Sequence, residues 1–226
     1  MSLRNAGLLF IAAAALFWLS WFLMPGVGVT DAAQIFDLVG HKRSAVMVSV
    51  FTQLSSSALY VPALLVISYV MSPTHGSGVR WGAGFLLLGA MGSAMDAVFH
   101  LLAYAMTRPG LEPASLLQVM AFMQGPGLRL VAPFIASFFL GGVVLSIALA
   151  KKGDVSKASG WIYLAALGVA AAGAAAASDG IISSRAVGLS VLAAVSMAQA
   201  ALGLELAGRG REHKIDQEKG YLESAF

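Results

Sequence analysis

Residues 81–106 read WGAGFLLLGAMGSAMDAVFHLLAYAM. Apolar and small side chains fill this stretch, and its only aspartate and histidine, Asp96 and His100, stand one helical turn apart. A helix of about 20 apolar residues is long enough to cross the hydrocarbon core of a bilayer. The stretch therefore predicts a transmembrane helix that carries a carboxyl and an imidazole group inside the membrane.

The whole chain has the composition of a polytopic membrane protein. Of its 226 residues, 58% are hydrophobic and 11% are charged, whereas soluble domains carry about 25% charged residues. Lipid allows only helices or closed barrels, because unpaired backbone groups are too costly there. The apolar runs are too long for barrel strands, so we predict an all-α transmembrane bundle of six spans, at 5–25, 46–71, 81–106, 126–150, 160–178 and 186–207.

We expect one transmembrane domain, residues 1–207, and a short charged tail, residues 208–226. The first apolar run exceeds the roughly 7–15 residues of a signal-peptide core, which favours a retained span. Lys and Arg are more numerous in the loops on the N-terminal side, for example Lys151, Lys152 and Lys157, than in the opposite loops. The positive-inside rule therefore predicts a multi-pass plasma-membrane protein with both termini in the cytoplasm.

Both longer outer loops predict short amphipathic helices. In VGVTDAAQIFDLVGHKRSA the apolar residues recur at helical spacing, with Thr30 or Asp31 as the N-cap and Gly40 as the stop. In TRPGLEPASLLQVMAFMQGPG an apolar helix, interfacial or re-entrant, precedes a Gly-Pro-Gly hinge. Spans five and six are rich in Ala and Gly, which predicts close packing of these helices against protein and an interface for homo- or hetero-oligomers.

Polar side chains of neighbouring spans share one depth in the outer half of the membrane. His100 lies about 9 Å and Asp96 about 15 Å below the outer end of span three, and Gln53 lies about 10 Å below that of span two. Residues four apart share a helix face, and ionisable groups in spans usually face the bundle interior or a wet cavity. We therefore predict a ligand-binding pocket in the outer half, formed by Asp96, His100, Arg129, Gln53, Ser56, Tyr60 and His41.

The simplest electrostatic arrangement of this pocket pairs Asp96 with Arg129 and bonds His100 to Asp96 or to a serine. The alternative is structural, since interhelical hydrogen bonds of about 0.6 kcal/mol each also hold helices together. The face with Gln53, Ser56 and Tyr60 supplies more polar partners than a structural contact needs. This excess favours water or a ligand between the helices.

The sequence lacks the residues that several kinds of chemistry require. The chain has no cysteine, which excludes disulfides, thiolate nucleophiles and iron–sulfur clusters. No metal-binding motif, second haem histidine or phosphate loop stands out, so we expect neither a metal nor a cofactor. The basic residues lie at the ends of spans, which indicates topology rather than a nucleic-acid partner.

Three segments carry a resemblance: RNAGLLFIAAAALFWLSWFLMPG, FDLVGHKRSAVMVSVFTQLSSSALYVPALLVISYVM and GGVVLSIALAKKGDVSKASGWIYLAALGVAAAG. Together they resemble a group of uncharacterised bacterial membrane proteins of six to seven spans that is catalogued as a domain of unknown function. The resemblance implies a topology and a bacterial inner membrane. It implies no activity, cofactor or catalytic residue.

Three functions fit these patterns. The leading interpretation is a non-enzymatic inner-membrane protein that binds a small molecule, lipid or ion in the outer pocket, as a transporter-like or sensing component. The second is an accessory or structural subunit of a membrane protein complex, which docks through spans five and six. The third is an integral membrane enzyme that modifies lipid, with Asp96 and His100 as acid and base.

Overall fold

The computed structural model describes residues 1–178 and 183–224, which are helical with short connections and contain no strand. Its helices are α1 (Leu3–Leu23), α2 (Ala32–His41), α3 (Arg43–His75), α4 (Ser77–Met106), α5 (Pro113–Phe122), α6 (Leu128–Ala150), α7 (Lys157–Ser178) and α8 (Ser184–Ser224). One π-helical turn, Met123–Gly127, joins α5 to α6. The prediction of an all-α bundle is confirmed.

Within the described residues, five helical segments are long and apolar enough to cross a membrane: Leu3–Leu23, Arg43–Thr74, Ser77–Met106, Pro113–Ala150 and Ser184–Arg209. The remaining predicted span, 160–178, falls within α7, which is not among these five. Large apolar side chains project outward along the segments, and Phe51 is 65% and Leu130 is 70% exposed. A membrane covers such an apolar surface, which would be costly to leave in water.

Consecutive long helices run in opposite directions. At one end of the bundle, which we call the N-terminal end, Gly7 of α1 lies against Gly203 and Ala207 of α8. At the other end, which we call the far end, Arg185 of α8 donates to the carbonyl oxygen of Met24 at 2.9 Å. The first and last helices are therefore antiparallel neighbours along their whole shared length.

Glycines allow the backbones of α4 and α6 to touch. A Cβ atom on Gly89 would lie 2.4 Å from the Cβ atom of Phe138, and one on Gly141 would lie 2.4 Å from the backbone nitrogen of Leu86. Small residues at helix crossings favour such close approach in membranes. Next to this contact the ring of Phe138 packs edge-on against Tyr60 at 5.3 Å. The two helices thus form a closely packed pair that positions the far-end half of α4.

The N-terminal end is closed by polar contacts between α8 and the loop before α7. Arg209 bonds to Asp154, and the Glu205 carboxylate accepts hydrogen bonds from the hydroxyls of Ser156, at 2.6 Å, and Ser159, at 3.1 Å. These contacts tie the last helix to the α6–α7 connection. Ionisable groups therefore line this end of the bundle, where they can reach water.

The amphipathic helix of the first outer loop is confirmed as α2. Its N-cap is Asp31, whose side chain accepts from the backbone N–H of Gln34 at 2.7 Å, and its apolar face is buried through Ile35 and Val39. The helix ends at His41, one residue beyond the predicted Gly40 stop. The second loop forms the short helix α5, as predicted, but this helix is apolar rather than amphipathic, since Val119 and Phe122 are exposed.

One expectation needs correction, and two others stay predictions. The Gly-Pro-Gly segment is not a hinge, because the chain stays helical through Met123–Gly127. The charged tail 208–226 stays a prediction: α8 continues as a helix to Ser224, and residues 225–226 lie outside the described part. The packing of α7 against protein also stays a prediction, because within this chain Leu164, Leu167 and Val169 are exposed.

Candidate functional site

A cavity of about 440 Å³ opens between the helices at the far end of the bundle. The turn after α1, the outer part of α4, the π-helical turn and the first turns of α8 surround it. Most of its wall is apolar or aromatic, with contributions from Trp21, Met24, Phe99, Met123, Leu128 and Val191. This far-end cavity includes two of the residues predicted for the pocket, Asp96 and His100.

The π-helical turn supplies part of this wall, including Met123 and Gln124. Pro126 within it has no backbone N–H, so it cannot form a regular helical hydrogen bond. A π-turn widens the helix locally, and such turns occur often at functional sites. The Gly-Pro-Gly sequence thus shapes a wall of the cavity rather than a joint between two elements.

Asp96 and His100 bring polar groups to the cavity wall from α4. Gln53 of α3 lies behind them and is 1% exposed. Its amide Nε2 donates to Asp96 Oδ2 at 2.9 Å and to Ser93 Oγ at 3.4 Å, and its Oε1 lies 3.1 Å from His100 Nδ1. We call Gln53, Asp96 and His100 the polar cluster.

The hydrogen bonds of the polar cluster indicate which nitrogen of the His100 ring carries a proton. A carboxylate accepts and does not donate, so the Gln53 amide turns its nitrogen to Asp96 and its oxygen to His100. His100 Nδ1 must then carry a proton. The other ring nitrogen, Nε2, lies 3.7 Å from Asp96 Oδ2, which exceeds hydrogen-bond distance. Trp21 packs edge-on against the ring at 5.7 Å.

One oxygen of Asp96 is not used by the described part of the chain. Oδ2 accepts the bond from Gln53, whereas Oδ1 has no partner among residues 1–178 and 183–224. Asp96 is only 6% exposed, and it lines the cavity. A carboxylate oxygen accepts hydrogen bonds strongly, so Oδ1 is available as an acceptor to water or to a ligand in the cavity.

The predicted Asp96–Arg129 ion pair is wrong. Arg129 lies in the first turn of α6, at the far end of the bundle, and its side chain is exposed. Asp96 bonds to Gln53 and lies beside His100 instead. The arginine side chain is exposed at the end of the bundle, so the lack of a carboxylate partner among the described residues costs little.

Three other predicted site residues lie away from the cavity. Ser56 donates to the carbonyl oxygen of Ala13 at 2.7 Å, and the Tyr60 hydroxyl bonds to Gln199 deeper in the core. The side chain of His41 is 76% exposed and lies 3.1 Å from Asp37 on the outer surface. Of the seven predicted residues, the structure brings together Gln53, Asp96 and His100 and separates the remaining four.

Sequence reasoning missed the apolar wall of the cavity and two polar contacts. Trp21 and Phe99 carry no charge and look like any other aromatic residue in a span. The sequence does contain a signal for Ser93, because this serine precedes Asp96 by three residues and hence lies on the same helix face. Gln199, the partner of Tyr60, is 0% exposed and is the only amide in its apolar run.

The described residues contain no group of three or more His, Cys, Asp or Glu side chains that could hold a metal ion. Comparison with protein-family models, with curated proteins and with solved structures found no match. The geometry of the cavity and of the polar cluster therefore carries the functional argument.

Proposed function

We propose that this protein is a six-span protein of a bacterial inner membrane that binds a small molecule in the far-end cavity, as a transporter-like or sensing component. The observation that carries this proposal is the cavity itself, about 440 Å³ with Asp96 and His100 on a mostly apolar wall. Binding sites for small molecules are typically about 300–1,000 Å³, with apolar walls and few polar groups. The ligand therefore has an apolar body and one polar end.

In this proposal α7 also crosses the membrane, as the fifth of six spans, and both termini are cytoplasmic. α7 comprises 22 residues, enough for the roughly 30 Å of hydrocarbon at 1.5 Å per residue. The basic loop 151–157 then lies inside, and exposed Trp81 and Trp161 lie at the inner interface. Reporter fusions after residue 226 and within 109–112 should report opposite sides. A periplasmic C-terminus would contradict this orientation and place the cavity in the cytoplasmic half.

Cysteine labelling tests whether the cavity is open to the outside. Because the chain has no cysteine, each introduced thiol reports alone. Cysteines at Gln124 and Val191, which line the cavity, should react with a membrane-impermeant maleimide added outside intact cells. Cysteines at Val98 and Leu102, which project from α4 into lipid with 56% and 41% exposure, should not react. Equal protection at all four positions would rule out an open cavity.

Native mass spectrometry tests for a bound molecule. The wild-type protein, purified in mild detergent, should carry a small-molecule mass that the variant Val191→Phe lacks, because the added ring occupies the cavity. The matched control is Met197→Phe on the lipid-facing side of the same helix, where the side chain is 62% exposed; it should retain the mass. Retention by both variants would show that the molecule binds elsewhere.

A second candidate function is that of an accessory subunit, and the exposed face of α7 favours it. Ala165, Gly168 and Ala172 share this face and are exposed, and small residues allow another helix to approach closely. A stoichiometric protein partner should then co-purify and be lost on Gly168→Leu. The control Gly84→Leu, at a site of α4 with open space around it, should keep the partner. Absence of a partner in both preparations would remove this candidate.

A further inference from the structure

We infer that the ligand of the far-end cavity is an organic cation, an amine or amidine on an apolar body, with its charged group at Asp96. The inference rests on the proposed function, since it names the chemical class of the molecule that the cavity binds. Three properties of the cavity support it: the charge of its wall, the pair of acceptors that face it, and the nature of its apolar surface.

Charge is the first property. Among the described residues, Asp96 is the only carboxylate on the cavity wall, and none of them on the wall is Lys or Arg. Arg185, which precedes the wall residues Val187 and Gly188, donates to the carbonyl oxygens of Met24 and Pro25, each at 2.9 Å. No described Lys or Arg side chain therefore neutralises the carboxylate from the wall. A bound anion would meet this charge in a weakly screened site, and a bound cation would compensate it.

Two unused acceptors form the second property. Asp96 Oδ1 has no described partner, and His100 Nε2 has none within hydrogen-bond distance. Because Nδ1 donates to Gln53, a neutral His100 ring presents the lone pair of Nε2. The two acceptor groups lie close together, with Nε2 3.7 Å from the other Asp96 oxygen. A group with several N–H donors, such as ammonium or amidinium, satisfies both acceptors at once.

The apolar surface is the third property. Trp21 and Phe99 line the cavity together with Met24 and Met123. Aromatic faces attract cations, and Trp does so most strongly, while methionine adapts to irregular apolar shapes. A bare metal ion fits poorly, since hard cations such as Ca²⁺ take six to eight oxygen ligands, and among the described side chains of this wall only Asp96 and Gln124 offer oxygens.

Three probes of one shape test the inference: 3-phenylpropylamine, 3-phenylpropan-1-ol and 3-phenylpropanoate. Binding to the full-length protein in uncharged maltoside micelles is measured by calorimetry, and the cavity-filled variant Val191→Phe supplies the background for micelle partitioning. The amine should bind at least tenfold more tightly than the alcohol, and the carboxylate should bind most weakly. This order is measured in the unmodified protein and needs no variant to fold.

Asp96→Asn then shows whether the carboxylate is the cause. It should reduce the advantage of the amine over the alcohol to less than about threefold, because the charge is lost while the shape remains. The matched control is Asp37→Asn, whose side chain is 71% exposed on the outer surface; it should keep the tenfold advantage.

The outcomes separate the two proposals. Equal binding of amine and alcohol above background, or tighter binding of the carboxylate, would overturn the cation assignment and leave the proposed small-molecule site intact. Binding of none of the three probes above the Val191→Phe background would count against the site as well as against the assignment. Persistence of the amine preference in Asp96→Asn would overturn the role of that carboxylate.

Discussion

Replacing Gln53 by leucine should destabilise the bundle far more than a typical polar substitution in a membrane helix. Gln53 is 1% exposed, and its amide contacts Asp96 at 2.9 Å and His100 at 3.1 Å. Leucine has a similar volume and no polar atom. The substitution therefore leaves the carboxylate without its described donor and the His100 Nδ1–H without its acceptor.

The magnitude follows from these two bonds. A hydrogen bond to a charged group contributes about 1.5–3 kcal/mol and a neutral one about 1 kcal/mol. Asp96 and His100 line the cavity, so water replaces part of what the amide supplied. We expect a net loss of about 2–3 kcal/mol in the free energy of unfolding, well above the average of about 0.6 kcal/mol for polar contacts in membrane helices. This loss corresponds to a change of roughly 30- to 150-fold in the unfolding equilibrium constant.

Equilibrium unfolding by SDS in mixed micelles, followed by circular dichroism, measures the loss. The matched control is Ser55→Leu, two residues further along α3 on its exposed side, which should change the free energy by less than about 0.5 kcal/mol. A double-mutant cycle of Gln53→Leu with Asp96→Leu should show a coupling of at least about 1 kcal/mol. A loss for Gln53→Leu no larger than that of Ser55→Leu, or strict additivity in the cycle, would refute the hydrogen-bonding scheme.

Two further predictions concern the frame around the cavity. Gly89→Ala should destabilise the bundle by about 1–3 kcal/mol, as overpacking does, because the new Cβ atom would lie 2.4 Å from that of Phe138. The control Gly84→Ala, whose Cβ atom would meet nothing within 4 Å, should be neutral or stabilising. Equal SDS-unfolding curves for the two variants would contradict the close contact between α4 and α6. Arg185→Gln removes the donors to the carbonyl oxygens of Met24 and Pro25, just after α1, so amide hydrogen exchange in the first turns of α8 should speed up several-fold. The control Arg108→Gln, at an exposed loop position, should leave this exchange unchanged. Exchange at the wild-type rate in Arg185→Gln would show that the contact does not hold the ends of α1 and α8 together.

Hydropathy is sufficient to predict the helical bundle. Long apolar runs supply side chains that can face lipid, and a helix bonds all of its backbone groups within the run. Hydropathy is also sufficient to place Gln53, Asp96 and His100 at one depth, since depth follows from counting residues along a helix. The prediction for His41 failed although the information was present. His41 stands two residues after buried Val39, about 200° around the helix, and therefore points to solvent.

The side chain of Arg129 could not be placed by the same counting. Counting residues places Arg129 in the first turn of α6, where the structure has it, but the direction of its side chain depends on the rotation of α6 about its own axis. That rotation is set by glycine contacts such as Gly89 with Phe138 and by the irregular turn that precedes Leu128. The apolar cavity wall is unpredictable for a related reason: whether Trp21 faces lipid or the interior depends on the packing of several helices at once.

The π-helical turn Met123–Gly127 also has a consequence for insertions and deletions in this part of the chain. A π-turn holds one residue more than an α-turn, so the chain carries one surplus residue between two buried anchors, Met120 and Val131, which are 0% and 1% exposed. A deletion of Gly125, where an added Cβ atom would meet no other side chain or neighbouring helix within 4 Å, should convert the turn to regular α-helix and leave both anchors facing their present neighbours. Related sequences can therefore differ by one residue in the length of this segment while α5 and α6 keep their buried faces in place. Such a difference would alter the shape of the cavity without altering the fold.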